Sequence, residues 1–316
     1  MYYICAVRSS FHLFLLVGFI CLIGQAVWAQ SPFVEVFQRV GSSAYTISFQ
    51  NTLTVNREGG HIQGIQWVGD SFLLSGSSST VSYYATVTED EVVRVDTLLH
   101  LPYKHAGGFQ INDGLLAIGV EDNEAKSASQ VLVYDFSEPS DPPSQPIQVV
   151  QREGKVKRAT AGCVAIAEYD EQYILLVGDW DIRHLDLYQI SANQVNDTKL
   201  SFTLTQSITL EEHSRRGWID TAWWSYQNIN LFKVEDSLCL VGLGINDQKE
   251  NVADIFTVSL EPELKLTKIA SRTFPTKHQT SFLWGAGVDW NPETTQMRIL
   301  TTPYSMQEEN IIVVYE

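Results

Sequence analysis

Short runs of β-branched and aromatic residues alternate along the chain with clusters of Gly, Asn, Asp, Pro and Ser. Runs of this kind, bounded by turn-forming residues, are typical of β-strands. No long segment repeats its apolar positions with the period of an amphipathic helix. The pattern therefore predicts an all-β protein built from many short strands.

Pairs of these strands recur five times. The first strand of each pair is rich in small residues, and the second strand ends on a glycine in the first four copies. The first strands begin at His61, His105, Thr160, Gln227 and Trp284. Their starts are 44 to 67 residues apart, a spacing typical of propeller blades that have loops of variable length.

A third strand follows in every copy, and a fourth strand follows in the first four. The third strands are predicted at residues 81–87, 131–136, 185–190, 255–260 and 311–315. The fourth strands are predicted at residues 92–99, 147–151, 202–210 and 266–274. The fifth copy therefore lacks an outer strand.

An apolar run at residues 33–37 precedes the first copy and has no place within it. We expect this run to supply the missing outer strand, because a closed ring leaves no exposed sheet edge. The sequence thus predicts one domain at residues 30–316. It is a five-bladed β-propeller whose last outer strand comes from the N-terminal segment, and this closed ring is favoured over an open sandwich.

The order of the strands predicts which face of this domain carries function. Turns between first and second strands are short, as in Asn112-Asp113-Gly114, and their residue types suit tight hairpins. The longer loops, which follow the second and fourth strands, emerge together on the other face of a meander. We therefore expect a ligand site where the first strands begin.

That face collects imidazole, guanidinium, amide, carboxylate and aromatic groups, and such convergence around a cleft indicates a binding site. The candidate ligand-binding residues are His61, Lys104, His105, Arg158, Arg183, His184, Gln227, Asp247, Trp284 and Tyr304. For the histidines, simple hydrogen bonding between strand starts is the competing interpretation.

Acidic residues on the same face allow a second interpretation. Paired carboxyl groups can act as general acid and base on a glycosidic bond, and the candidates are Glu121, Asp122, Asp179 and Asp181. The same residues can also be plain turn formers. No ligand spacing typical of a metal site is present, so we predict no metal and no cofactor, although a divalent cation stays chemically possible.

An aromatic segment at residues 215–226 concentrates three tryptophans and a tyrosine beside two arginines. Tryptophan is a common filler between packed sheets, which favours a structural role. An exposed platform for a sugar ring or a peptide is the alternative, because indole combines a large contact area with a hydrogen-bond donor.

The N-terminal 29 residues have the features of a secretory signal: Arg8, an apolar run at residues 11–23 and small residues before position 30. We therefore expect a secreted or periplasmic protein without a later membrane span. The net charge of −16 disfavours nucleic acid as a partner. Cys163 and Cys239, the two cysteines beyond residue 29, are expected to be buried thiols, and a disulfide between them is the alternative.

Several short motifs resemble an uncharacterised family of secreted bacterial β-propeller proteins. They are the stretches at residues 61–66, 105–110, 116–122, 133–135 and 253–256, together with Pro139. The resemblance implies export and a propeller fold, and it implies that His61, His105 and Glu121 are family features. Thr160 departs from the pattern, because the first two copies have histidine there, which argues against a symmetric histidine ring.

The sequence thus predicts an exported β-propeller that acts as a binding or scaffold module. A glycan or an extracellular protein is the expected ligand, held at the mouth of the central channel. The alternative is a secreted hydrolase similar to glycoside hydrolases, which would use the carboxylates of the same face.

Overall fold

The computed structural model describes residues 31–53, 60–141 and 143–316. This part of the chain contains one α-helix, two single-turn 3₁₀ helices and twenty strands, so the all-β prediction is confirmed. No helix within these ranges is long and apolar enough to span a bilayer. The signal interpretation of residues 1–29 lies outside the described residues.

The strands form five units of four strands, and the strands of the first four units are consecutive in sequence. The first unit contains β2 (Ile62–Val68), β3 (Ser71–Ser77), β4 (Val81–Val87) and β5 (Val92–His100). The second contains β6 (His105–Asn112), β7 (Leu115–Glu121), β8 (Ala128–Asp135) and β9 (Gln148–Glu153). The third contains β10 (Cys163–Tyr169), β11 (Gln172–Gly178), β12 (His184–Ser191) and β13 (Thr203–Thr209). The fourth contains β14 (Asn228–Val234), β15 (Ser237–Ile245), β16 (Asn251–Ser259) and β17 (Lys265–Phe274). The fifth contains β18 (Ala286–Asn291), β19 (Gln296–Thr301), β20 (Glu309–Tyr315) and, from the N-terminal segment, β1 (Ala44–Gln50).

Within each unit neighbouring strands pair antiparallel, in chain order in the first four units and in the order β18, β19, β20, β1 in the fifth. Single parallel pairs join innermost strands of different units, Ala286 with Gly64 and Gly108 with Cys163. These links merge the units into two eight-stranded sheets and one four-stranded sheet. The predicted third and fourth strands all appear, with shifted ends.

The N-terminal segment does close the fifth unit, but with other residues than predicted. Residues 33–37 lie in helix α1 (Pro32–Arg39), and β1 pairs with β20. Pro32 has a φ angle suited to a helix start, and Arg39 forms an i,i+4 ion pair with Glu35 at 3.1 Å. The apolar side chains of Phe33, Val34 and Phe37 share one buried face, so the apolar run predicted as a strand is one face of a helix.

The hydrophobic core lies between the units. Five clusters of buried side chains are found in the described residues, and each joins two neighbouring units. One of them packs Ile47 and Ile312 of the fifth unit against Ile65 and Phe72 of the first. The fifth unit therefore packs against the first, and burial of apolar faces stabilises each unit through both of its neighbours.

Polar side chains connect the innermost strands. The Gln110 Oε1 atom accepts hydrogen bonds from the backbone N–H groups of Ile166 at 3.0 Å and Leu231 at 2.8 Å, which joins three units. The backbone also approaches closely, since a Cβ atom on Gly287 would lie 1.7 Å from the Ile65 carbonyl oxygen. The centre is thus closely packed along this stretch.

Candidate functional site

A cavity of about 230 Å³ lies where the first strands begin. All five units contribute to its lining: His61, Gln63, His105, Glu121, Gly162, Asp179, Trp180, Asp181, Tyr226, Gln227, Leu283 and Trp284. The structure therefore brings together four of the predicted ligand-binding residues, His61, His105, Gln227 and Trp284. Three of the four candidate carboxylates also line the cavity.

A row of polar side chains crosses the cavity floor from Gln63 to Glu121. A register shift in β2 lies at Gln63, and the Gln63 Nε2 atom lies 2.6 Å from His61 Nδ1. The Nε2 atoms of His61 and His105 lie 3.3 Å apart, and His105 Nδ1 lies 3.1 Å from Glu121 Oε1. Gln63, His105 and Glu121 are all buried.

The protonation state of this row follows from its donors. Burial, assisted by the adjacent His105, lowers the pKa of His61 to about 4, so His61 is neutral at pH 7. Because the Gln63 amide nitrogen can only donate, His61 Nδ1 accepts and His61 Nε2 carries the proton towards His105. The row thus has one direction and ends at His105 Nδ1, which lies 3.1 Å from Glu121 Oε1 at a poor angle for a hydrogen bond.

Glu121 has an unused acceptor at the end of this row. Its Oε2 atom accepts a hydrogen bond from the Ala161 N–H at 3.1 Å. Its Oε1 atom is buried and has no hydrogen bond of acceptable angle among the described residues, although His105 lies within ion-pair distance. A buried carboxylate oxygen without a well-aligned donor is costly, so the floor is suited to a ligand that brings a hydroxyl or N–H group.

Three aromatic rings form a cluster beside this floor. The rings of His61 and Tyr304 stack with centroids 5.2 Å apart, and Trp284 meets Tyr304 edge-on at 4.5 Å. Tyr304 is 44% exposed. Trp180 adds a further ring to the lining and stacks on His105 with centroids 6.2 Å apart. Aromatic and polar surfaces therefore meet within one small cavity.

The loop between β11 and β12 holds two carboxylates in different environments. Asp179 is buried and accepts hydrogen bonds from the backbone N–H groups of Arg183 and His184, and it contacts His184 Nδ1 at 2.6 Å. Asp181 is partly exposed, 3.5 Å from Arg183, and accepts a hydrogen bond from Ser225 Oγ at 3.1 Å. Its φ of 65° is strained for a residue with a side chain.

The other predicted residues lie outside the cavity lining. Lys104 pairs with Glu124 at 2.7 Å, and Arg158 forms a bidentate pair with Asp186. Asp122 accepts hydrogen bonds from the N–H groups of Glu124 and Ala125, as a turn former does. Arg183 and His184 bind to the aspartates of their own loop, Asp247 lies in an exposed turn, and Tyr304 touches the site through its ring contacts.

The sequence-based candidates omit five lining residues: Gln63, Gly162, Trp180, Tyr226 and Leu283. Gln63 could have been predicted from the sequence, because residues two apart on a strand face the same side and His61 was already a candidate. The aromatic segment at residues 215–226 mostly packs: Trp218 and Trp223 contact Phe256 with centroids 5.3 Å away. Of its aromatic residues, Tyr226 alone is among the cavity-lining residues.

Burial determines the chemistry of the two cysteines in the described residues. Cys163 and Cys239 are free and buried, and burial raises the pKa of both thiols, that of Cys239 to about 12. Thiols with such pKa values are poor nucleophiles at neutral pH. No group of three or more His, Cys, Asp and Glu side chains in the described ranges is placed to hold a metal ion.

No protein-family model matches the chain, and no curated protein is similar to it in sequence. Solved structures with a similar chain path include several glycoside hydrolases. A bifunctional GH43-CE protein from Bacteroides eggerthii is 11% identical over 84% of this chain and 34% of that chain, with a TM-score of 0.44. An exo-β-1,3-galactanase from Phanerochaete chrysosporium, solved with β-1,3-galactotriose, is 11% identical over 87% of this chain and 64% of that chain, with a TM-score of 0.44. An α-L-arabinofuranosidase from Podospora anserina, in complex with cellotriose, is 11% identical over 87% of this chain and 98% of that chain, with a TM-score of 0.46.

The chain spans about a third of the first of these proteins and 64% of the second. The saccharides named for the neighbours are ligands of those proteins. The function of this chain is therefore inferred from its own cavity.

Proposed function

We propose that the chain is an exported five-bladed β-propeller that binds a saccharide at the mouth of its central channel. Three features support five blades: five four-stranded units, five core clusters that each join neighbouring units, and the pairing of β1 with β20. Export is supported by Arg8 and the apolar run at residues 11–23. N-terminal sequencing of the mature protein and cell fractionation test the export.

The observation that carries the binding function is the combination found in the cavity. A buried carboxylate oxygen, Glu121 Oε1, lies 3.1 Å from His105 Nδ1 but has no hydrogen bond of acceptable angle among the described residues, and the aromatic cluster of His61, Trp284 and Tyr304 lies beside it. A sugar ring matches both surfaces, because its hydroxyls donate hydrogen bonds and its C–H faces pack on aromatic rings.

The size of the cavity agrees with this ligand class. Pockets that enclose drug-sized molecules measure roughly 300–1,000 Å³, whereas this cavity measures about 230 Å³. One sugar ring at the end of a chain is therefore the expected occupant, with the rest of the saccharide lying over the exposed Tyr304.

The test is a glycan array with the purified protein, followed by calorimetric titration of the saccharides retained. We expect Trp284→Ala to weaken binding at least about ten-fold, since an aromatic contact in a closed site is worth about 1.5 kcal/mol or more. Glu121→Gln should also weaken binding, because it replaces a carboxylate acceptor with an amide.

Trp67→Ala is the matched control. Trp67 is also partly buried but lies near the opposite end of its strand, where its Nε1 donates to the Gly69 carbonyl. Binding by this variant should stay within about two-fold of the parent protein. Absence of any saccharide ligand, or equal losses in Trp284→Ala and Trp67→Ala, would rule out the proposed site.

Glycoside hydrolysis is the second candidate, and Asp181 is the observation that favours it. This carboxylate is partly exposed at the cavity and is held by strained backbone, a combination found at active sites. Hydrolysis needs a second carboxyl group, and Glu121, buried at the floor, is the candidate partner because Asp179 is engaged by its own loop.

An aryl-glycoside and oligosaccharide panel separates the two candidates. An enzyme should lose turnover by several orders of magnitude in Asp181→Asn and still bind its substrate, since the amide has the shape of the carboxylate. Products at the rate of the buffer control for every bound saccharide would exclude hydrolysis and leave the binding function.

A further inference from the structure

Basic residues gather on two loops beside the cavity, although the whole chain carries a net charge of −16. Lys126 lies between β7 and β8, and Lys155 and Lys157 lie between β9 and β10. Backbone hydrogen bonds join the loops: the Lys157 N–H donates to the Lys126 carbonyl at 2.6 Å, and the Gly154 N–H donates to the Ser127 carbonyl at 3.0 Å. The three lysines therefore lie on one connected surface, the basic rim.

The basic rim is attached to the cavity wall at Trp180. The Lys126 ammonium group lies over the Trp180 indole, 4.0 Å from the ring centroid, and Trp180 lines the cavity. The Thr160 hydroxyl donates to the Lys157 carbonyl at 2.5 Å and accepts from the Trp180 N–H at 2.7 Å. Ligand atoms next to Trp180 are thus close to Lys126.

Nearby cations outside the basic rim are already paired, and those within it are not. Lys104, Arg158 and Arg183 each form an ion pair with an acidic residue. No ion pair involves Lys126, Lys155 or Lys157 among the described residues, and the last two are exposed. Their positive charge is therefore available to a ligand.

The carboxylates of the cavity do not cancel this charge at the rim. Asp179 contacts His184 at 2.6 Å, Asp181 lies 3.5 Å from Arg183, and Glu121 lies buried at the floor beside His105. Glu153 is the acidic residue of the segment 153–158, which also holds three cations. In the two loops and the adjoining end of β9, Asp122 and Glu153 are the carboxylates without an ion-pair partner among the described residues, so the three lysines of the rim outnumber two acidic side chains.

We propose that the bound saccharide is anionic and that its carboxylate or sulfate group binds at the basic rim, against Lys126 and Lys157, while a neighbouring ring occupies the cavity. This inference rests on the proposed saccharide-binding function. Uronic acids and sulfated sugars share the required chemistry, which is a sugar ring with a fixed negative charge. The negative field of the whole protein repels such ligands elsewhere on its surface.

The experiment compares three oligosaccharide sets of equal length by calorimetric titration of the full mature protein: neutral, uronic-acid and sulfated. We expect one anionic set to bind at least about five-fold more tightly than the neutral set, the size of a partly exposed charge contact. Lys126→Gln and the double variant Lys155→Gln/Lys157→Gln should each weaken anionic binding about three- to five-fold and leave neutral binding unchanged.

Two control variants test whether the effect depends on the positive charge of Lys126 and on the location of the basic rim. Lys126→Arg keeps the charge and the contact with Trp180 and should keep most of the affinity. Lys199→Gln removes an exposed lysine in the loop between β12 and β13, at the other end of the third unit, and should bind like the parent protein.

The outcomes distinguish the inference from the function on which it rests. Neutral saccharides that bind as tightly as anionic ones, or anionic binding that Lys126→Gln leaves unchanged, would overturn the inference and leave saccharide binding intact. Failure of all three sets to bind would overturn both. A preference for uronic acids over sulfated sugars, or the reverse, supports the inference and identifies the anion.

Discussion

Lys268 provides the sharpest test of how the fourth unit supports the cavity. Its side chain is fully buried, and Nζ lies 2.9 Å from Asp254 Oδ2 and 3.0 Å from Asp220 Oδ1. Asp254 is also fully buried and accepts a hydrogen bond from the Tyr226 hydroxyl. Burial and the adjacent Asp254 raise the pKa of Tyr226, so this hydroxyl stays protonated and can donate.

Lys268→Met retains most of the side-chain volume and removes the charge. Asp254 then becomes a buried carboxylate without a cation, and breaking a buried pair in this way costs about 3–5 kcal/mol. That is a large part of a typical folding free energy of about 5–15 kcal/mol. At roughly 2–4 °C per kcal/mol for a protein of this size, Tm should fall by roughly 6–20 °C.

The assay is urea and thermal unfolding followed by tryptophan fluorescence. The double variant Lys268→Met/Asp254→Asn should recover more than half of the lost free energy, because no unpaired charge remains. Lys265→Met, at an exposed position of the same strand, should change stability by less than about 0.5 kcal/mol. A loss below about 1 kcal/mol in Lys268→Met, or no recovery in the double variant, would refute the reasoning.

Three further predictions concern stability. Phe33→Ala should cost about 3–5 kcal/mol in urea unfolding, because this fully buried ring packs at 5.0 Å against Trp290; a loss below about 1 kcal/mol would mean that α1 is not anchored there. Gly287→Ala should abolish soluble expression, because the added Cβ would lie 1.7 Å from a backbone oxygen. Gly69→Ala, at a position with φ of 57° and open space around it, should cost only about 1–2 kcal/mol of stability. Equal effects of the two variants would contradict the close backbone approach at Gly287. His61 has a pKa of about 4 in the folded protein and 6.5 in the unfolded chain. Between these pH values the unfolded chain binds more protons than the folded protein, so stability should fall as pH drops from 6.5 to 4. His61→Gln should flatten that slope in pH-dependent unfolding, and an unchanged slope would exclude His61 as its source.

The strand pattern was readable from the sequence where local chemistry decides it. The segment Asn112-Asp113-Gly114 forms a tight hairpin, with φ of 49° at Asp113 and 73° at Gly114. Positive φ angles at both positions favour glycine or a short polar side chain, which are the residues found there. The start of the N-terminal segment was not readable, because Phe33, Val34 and Phe37 fit a strand and a helix equally over so short a run.

The candidate site was readable in its place but only partly in its members. Strand order put His61, His105, Gln227 and Trp284 on one face, and the structure gathers them at one cavity. Sequence could not show that Arg158 turns to Asp186 instead, because that choice depends on a partner in another strand. Lys126 was missed for the same reason, since its importance comes from Trp180, which lies in another unit.

The pairing of β1 with β20 also has a consequence for the order of folding. Ala44 and Tyr315 are partners in this ladder, so the fifth unit needs strands from both ends of the described chain. Contacts of such high sequence separation form slowly, because the loop they close is long. During synthesis the first four units can form before the last strands leave the ribosome, while β1 waits without a partner. A chaperone or protease would therefore meet, in the nascent chain, the edge of β1 that pairs with β20 in the finished protein.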